Sequence, residues 1–348
     1  MYIYSAAYSE LLISKGILTS NYAKLREYIG GDFISVVKAN AYGLGVKHIA
    51  KVLFEAGQNN FAVANLAEGI VLRKLLGESP KIFILGSVDI RDFHIANKFN
   101  LIIPIISLEY FKQFCNAKLK ANKVYLQVDT GMNRLGVKCS KSAINGVIAY
   151  FVDCNMEFFG VFSHFALGDN KYISRKQISK LNGLNIPHLS FSASSATAKD
   201  YKIDETKRIG LAMFGYGTLA DKLGLKTIAS LQTKIIRLEE AKAHERVGYN
   251  RYYIDKDCYL ATIPLGYADG LKRSYLGQNV KIGKKLYPII SICMDMAIVK
   301  VDRAVKLSDK VIIFDNNLSL ERLAKADKTI VYECLTSLGD RIQRKIYQ

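Results

Sequence analysis

Val36-Val37-Lys38-Ala39-Asn40-Ala41-Tyr42-Gly43-Leu44-Gly45 decides how the rest of the chain is read. A lysine ends an apolar, β-branched run, and an aromatic hydroxyl follows four residues later on a segment loosened by two glycines. A strand that ends in lysine can hold the amine in a pocket where desolvation lowers its pKa and leaves it nucleophilic. The Tyr42 hydroxyl and the small loop around it can then grip a phosphate beside the amine. Those are the parts needed to hold pyridoxal 5'-phosphate covalently. The same spacing also suits a strand-terminal lysine whose stem lies on apolar surface and whose head reaches water. The ten residues alone leave both readings open.

Composition bounds the rest. The chain has 348 residues, half of them hydrophobic, which exceeds the usual single domain and amply supplies a core. No apolar run approaches the ~18 residues needed to span a bilayer. The N-terminus, MYIYSAAYSE, lacks the charged-then-apolar pattern of a signal peptide. A soluble, cytoplasmic protein is expected, with no membrane partner. Six cysteines stand singly at 115, 139, 154, 258, 293 and 334, without a CxxC pair or metal-ligand spacing, so reduced thiols and no metal are expected. The net charge of +18 invites a nucleic-acid reading, but no block of like charges concentrates it. A solvated basic surface that favours anionic small molecules is expected instead, and no nucleic acid.

Short β-branched runs alternate with helical patterns through the first two-thirds. Strands are expected at Phe33–Lys38, Phe61–Ala64, Lys81–Leu85, Leu101–Ile106, Lys123–Val128, Phe158–Ser163, Pro187–Phe191 and Arg208–Phe214. Val46, Ile49, Val52, Leu53 and Ala56 repeat at helical spacing between the first two, and 66–76, 141–151 and 173–181 read similarly. Strands joined by crossover helices imply an α/β fold with an N-terminal (β/α)8 TIM-type barrel. Lys38, Arg134, His164, the Ser194-Ser195 pair and Gly210 fall at or just after expected strand ends, the face that carries barrel active sites. From about Leu225 the texture becomes mainly β, with strands expected at Ile228–Leu238, Cys258–Pro264, Asn279–Ile282, Ile289–Val301 and Lys310–Phe314, and helices at 319–326 and 331–338. The domains are therefore expected at 1–224 (barrel) and 225–348 (C-terminal, mainly β), and the first residues can pack with the second domain.

An ordered set of motifs extends the first one. Asp129-Thr130-Gly131-Met132-Asn133-Arg134-Leu135-Gly136, Ser163-His164-Phe165-Ala166, Arg208-Ile209-Gly210-Leu211-Ala212-Met213-Phe214-Gly215, Val247-Gly248-Tyr249-Asn250, Gly266-Tyr267-Ala268-Asp269-Gly270, Cys293-Met294-Asp295-Met296 and Tyr332-Glu333 follow in sequence. Together with VVKANAYGLG they resemble the alanine racemases, whose versions read VVKANAYGHG, DTGMGRLG, SHFA and RPGIALYG. The likeness spans about 300 residues in the family's order. The first thirty residues and the last ten match poorly.

The resemblance implies pyridoxal 5'-phosphate held on Lys38 and a two-base interconversion of L- and D-alanine, supplying D-alanine for peptidoglycan. Inverting an α-carbon needs an acid/base on each face of the bound substrate. By resemblance Lys38, freed when substrate displaces it, serves one face and Tyr249 the other. An ordinary phenol, with a pKa near ~10, is a poor base at neutral pH. The resemblance supplies helpers in a chain from Tyr249 through His164 to Arg208. It also implies Arg208 at the cofactor's ring nitrogen, and Tyr42, Ser195, Tyr332, Gly210 and Leu211 around the phosphate. Arg134 and the Met294 amide would meet the substrate carboxylate, with Tyr267 and Asp295 at a narrow entrance. The implied assembly is a homodimer with shared sites, since the family takes Tyr249, Tyr267, Met294 and Asp295 from the neighbouring subunit.

The sequence departs from the family pattern in places. Gln127 stands where many members carry a carbamylated lysine; a neutral amide can accept a hydrogen bond from Arg134 but cannot neutralise it. Ser194 replaces a common asparagine, and Met296 a common glutamine. A racemase of wider substrate range, a decarboxylase on the same plan and a non-catalytic cofactor carrier are the alternatives. The VGYN, GYADG and CMD segments follow the racemase pattern, and the carriers lack a second domain.

Overall fold

The computed structural model describes residues 8–117, 123–168, 170–181, 190–192, 206–249 and 251–348. They divide into two compact units, one built from 18–41 and 46–226, the other from 8–17, 42–45 and 227–348.

The first unit is a barrel of parallel strands. Arg208–Ile209 pairs with Ile34–Val36, which pairs with Asn60–Val63 and then Lys81–Ile84. A single bridge from Phe83 to Ile102 carries the order on to Ile103–Ile105, Lys123–Asp129, Glu157–His164 and Ser190–Ser192. Side chains sew the last strand to the first. The Arg208 guanidinium donates to the Ser190 carbonyl at 3.0 Å and to its hydroxyl, and Ser190 Oγ donates to the Thr206 carbonyl. Each falls where the periodicity predicts a strand, though of the expected Pro187–Phe191 only Ser190 and Phe191 lie among the described residues. The barrel strands read as nearly continuous apolar runs because both faces are covered, by helices outside and by packed side chains within.

Aromatic rings fill the interior. Tyr125 and Phe162 lie 4.2 Å apart between centroids, and Phe83 packs on Phe162 at 5.4 Å. The fully buried Tyr125 hydroxyl needs a partner and donates to the Ile84 carbonyl at 2.7 Å. The helices Val46–Glu55 and Leu66–Leu76 follow the first two strands, the second capped by Asn65, whose side chain accepts from the Glu68 amide. Leu211–Phe214, expected to continue a strand, is instead a buried 3-10 turn; a short apolar run cannot separate the two conformations by periodicity.

The second unit is built on a nine-stranded sheet, ordered Arg237–Ala241, Cys258–Ile263, Ala297–Val301, Lys285–Ile292, Asn279–Ile282, Lys310–Phe314, Ala229–Lys234, Glu10–Ser14 and Gln343–Tyr347. All pairs are antiparallel except the last. Alternating burial along Ala297–Val301 and Ala229–Lys234 gives one buried face. The run Ile289–Val301, expected as one strand, is two strands joined by the turn at 293–296, and Ile228–Leu238 likewise breaks in two. A small hairpin, Arg246–Val247 with Tyr252–Tyr253, stands apart from the main sheet and packs Val247 with Ala241, Ile254 and Ile290.

Tyr125→Phe should keep the ring packing but leave the Ile84 carbonyl without its donor, costing about 1–3 kcal/mol. Urea unfolding checks this; an unchanged midpoint would show that the hydroxyl contributes nothing to the barrel core.

Candidate active site

Lys38 lies two residues beyond the strand Ile34–Val36, at the carboxyl end of the barrel. The chain then turns in an unusual way: Ala39, Asn40, Ala41 and Tyr42 all have φ between 52° and 57°. Left-handed backbone costs a residue with a Cβ roughly 1–2 kcal/mol, so four in succession need external support. Glu68 supplies it. One carboxylate oxygen accepts from the Ala39 amide at 2.8 Å, the other from the Ala64 amide at 2.7 Å. Asn40 Oδ1 accepts from the Val46 amide at 2.8 Å, and the Ala41 amide donates to the Val37 carbonyl at 2.9 Å.

The half-buried Lys38 amine is in an environment hostile to positive charge. Burial, reinforced by the guanidinium groups of Arg134 and Arg208 and opposed by Glu68, pushes it below the usual lysine range. Arg208 is itself buried, stacked 4.7 Å above the Phe162 ring and donating to the Ser163 carbonyl as well as to Ser190. Its orientation is fixed by carbonyls of two strand ends.

The loop after Lys123–Asp129 folds around Asp129. Burial opposes ionisation of this carboxyl, but the Asn133 and Gly131 amides and the Lys138 ammonium outweigh it and hold the pKa below the usual carboxylate value. A buried relay joins this loop to the strand carrying His164. Gln177 Nε2 donates to Thr130 Oγ1 at 3.1 Å, Thr130 and Ser163 hydroxyls meet at 2.9 Å, and Ser163 Oγ donates to the Val128 carbonyl at 2.8 Å. Gln177 also receives the Ala166 amide and donates to the His164 carbonyl. Gln127, Asp129, Thr130, Arg134, Ser163 and His164 line one cleft. Gly210 and Leu211 follow Arg208 at the start of the 3-10 turn. Ser195, with its neighbour Ser194, lies outside the described residues, as does Asn250.

The second unit holds the remaining candidates in three places. Tyr42 and Tyr332 pack edge to face at 5.8 Å. Burial, with Tyr332 beside it, pushes the Tyr42 hydroxyl above the usual phenol range, so it stays protonated and can donate to an anion. Tyr249 stands in the loop of the small hairpin and is 72% exposed. Gly248 before it has φ +63°, and a Cβ there would lie 2.1 Å from Ser291 Oγ, so the loop fits only with glycine. Tyr267, Met294 and Asp295 sit on two turns that touch: the Tyr267 amide donates to the Cys293 carbonyl at 3.0 Å and the Ala268 amide to the Met294 carbonyl at 2.9 Å.

Sequence reasoning missed Glu68, Gln177 and Arg341. Gln177 left a faint signal, a glutamine on the buried side of the helix Lys171–Ser179 where an apolar residue is expected. Among the described residues no cluster of three metal-ligating side chains occurs, and no helix is long and apolar enough to cross a membrane.

A half-buried lysine whose pKa is pushed down, at the carboxyl end of a (β/α)8 barrel, in a chain that also carries a large mainly antiparallel sheet, defines a lysine-dependent barrel enzyme of two domains. The comparisons narrow this. The profile of the alanine racemase N-terminal domain matches residues 13–218, and that of the C-terminal domain residues 228–346. The alanine racemase of Fusobacterium nucleatum is 34% identical over 358 residues, covering 96% of this chain and 98% of that protein. The crystal structure of alanine racemase from E. faecalis superposes with a TM-score of 0.92 at 26% identity, covering both chains completely. That of Bartonella henselae alanine racemase, with covalently bound pyridoxal phosphate, gives 0.86 at 26% identity, over 98% of this chain and 100% of that one. The chain belongs to the alanine racemase family.

The donor set around Lys38 fits a phosphate-bearing aldehyde. An amine whose pKa is pushed down gives up its proton more readily to attack the carbonyl, and two guanidinium groups favour the anion. Brief exposure to pyridoxal phosphate followed by borohydride should therefore modify Lys38 ahead of the surface lysines, as read by peptide mass spectrometry. Preferential modification of another lysine would remove Lys38 from the site.

Proposed function

We propose that this chain interconverts L- and D-alanine with pyridoxal 5'-phosphate held on Lys38, and that Lys38 and Tyr249 are its two acid/base groups. The observation that carries the reading is the lowered pKa of a lysine fixed at a barrel strand end by the left-handed turn behind it. A neutral amine is needed both to hold the cofactor and, once released, to accept a proton from the substrate α-carbon.

When bound, the cofactor supplies the electron sink that makes the α-proton acidic. The chain's residues do the rest. Lys38 removes or returns the proton on one face of the α-carbon, and Tyr249 acts on the opposite face. Removal on one side with delivery on the other inverts the centre; the two groups exchange protonation states in each turnover and reset through solvent. Arg208 stays protonated and is held by the Ser163 and Ser190 carbonyls, so it donates a hydrogen bond to a ring nitrogen without surrendering a proton. That keeps negative charge near the α-carbon and favours reprotonation there. His164 links Arg208 to Tyr249. Tyr42, Ser195, Tyr332, Gly210 and Leu211 hold the phosphate, and Arg134 with the Met294 amide binds the substrate carboxylate. Tyr267 and Asp295 line a narrow entrance.

The working form is proposed to be a homodimer in which each site takes Tyr249, Tyr267, Met294 and Asp295 from the other subunit. Support comes from their exposure: Tyr249 is 72%, Met294 51% and Tyr267 41% accessible, which leaves all three free to meet a second subunit. The proposed setting is the cytoplasm, where the D-alanine product feeds peptidoglycan synthesis.

Chiral chromatography of L-alanine incubated with the cofactor-loaded protein should show convergence to equal L and D. Tyr249→Phe should retain the visible absorbance of the bound cofactor and lose roughly 10²-fold or more in rate, chiefly in removal of the L-isomer's proton. Unchanged L-alanine would refute the substrate. Equal losses in the two half-reactions would refute the assignment of Tyr249 to one face.

A further inference from the structure

Arg341 has no role in the reading above, yet it ties the entrance turns together. Its Nε donates to Asp269 Oδ1 at 2.8 Å and its Nη1 to Asp295 Oδ1 at 2.7 Å. Asp269 is only 5% exposed, and the Arg341 guanidinium is its ion-pair partner. The other Asp269 oxygen accepts the Gly266 amide at 2.9 Å, and the Asp269 carbonyl accepts the Gly339 amide at 3.0 Å. The turn at 266–270 is thereby held from within and pinned to the C-terminal segment.

That turn fixes the next one. The Tyr267 amide donates to the Cys293 carbonyl, and the Cys293 C=O and Met294 N–H belong to one planar peptide group. Holding the carbonyl end sets the direction in which the Met294 N–H points. The fit is close enough that a Cβ on Gly266 would lie 2.2 Å from the Met294 carbonyl oxygen. Arg341 therefore reaches Met294 along two routes, through Asp269 and the 266–270 turn, and through Asp295 beside it in the chain.

We infer that Arg341 is a positioning residue that clamps the turns carrying Tyr267 and Met294–Asp295, and so sets how tightly the substrate carboxylate is held. This rests on the proposed roles of those residues in the racemase. A planar guanidinium can serve two carboxylates at fixed geometry, whereas an ammonium is a single point charge. Loss of the clamp loosens binding of the carboxylate without removing either acid/base group, which predicts a change in KM and not in kcat.

The test compares Arg341→Gln and Arg341→Lys in the full, cofactor-loaded chain. Arg341→Gln should raise KM for L-alanine about tenfold, equivalent to ~1.4 kcal/mol, while kcat stays within about twofold and the cofactor's visible spectrum is unchanged. The inhibition constant of propionate, which has the carboxylate but no amine, should rise by the same factor. Amide hydrogen exchange should quicken in peptides covering 266–270 and 293–296, and Arg341→Lys should fall between wild type and Arg341→Gln on every readout. Should Arg341→Gln fail to fold, Asp295→Asn removes only the exposed half of the clamp and should shift KM and propionate binding in the same direction. Unchanged exchange, or a fall in kcat at constant KM, overturns the clamp. A wild-type protein inactive on alanine overturns the substrate reading alone, because the exchange measurement does not require turnover.

Discussion

Four consecutive left-handed residues directly after Lys38 are the constraint on which the site depends. Two of them are alanine, which has no special tolerance for φ near +52°, so the segment persists only because its surroundings hold it. The hydrogen bonds from Ala39 and Ala64 to the single Glu68 carboxylate, and from Val46 to Asn40, do that holding. The effect is to stop the strand abruptly. A right-handed continuation would carry the lysine into a helix, whereas this turn leaves the amine at the barrel's lip and brings Tyr42 to a buried position within four residues. Gly43 then offers its carbonyl to Arg344, which anchors the segment at its far end.

Electrostatics follow from this placement. Lys38 is close enough to Arg134 and Arg208 for both to disfavour its protonated form, while Glu68, already bonded to two amides, opposes them. Positive charge concentrated around an amine of lowered pKa suits the anionic aldehyde and the amino-acid carboxylate proposed to bind there. Arg208 contributes without drifting, because strand-end carbonyls and the Phe162 face hold its guanidinium. The net charge of +18 adds a diffuse attraction for anions at long range.

Much of this was legible in the sequence, for physical reasons. Barrel strands are short apolar runs punctuated by helical repeats, and those among the described residues were found that way. The family was legible because the order of its motifs along the chain is specific. Other features depend on contacts that periodicity does not carry. Leu211–Phe214 is apolar and short, so strand and 3-10 turn look alike. The turn at 293–296 interrupts a run of β-formers and is closed by the Cys293 amide on the Met296 carbonyl at 2.8 Å. Glu10–Ser14 pairs with Ala229–Lys234 and Gln343–Tyr347, partners more than two hundred residues away. Glu68, Gln177 and Arg341 act through backbone groups and carboxylates brought near only by the fold. Arg341 lies in the final ten residues, where the family motifs give no guidance.

The proposed pair of acid/base groups on opposite faces of one carbon makes a specific demand on the proton. L-Alanine turned over in D2O and followed by NMR tests it directly, because each group exchanges its proton with solvent between turnovers. D-Alanine formed early in the reaction should carry deuterium at the α-carbon while the remaining L-alanine still carries protium. Early D-alanine that retains the substrate's own proton would mean that a single group ferries it across, and would contradict the division of labour between Lys38 and Tyr249.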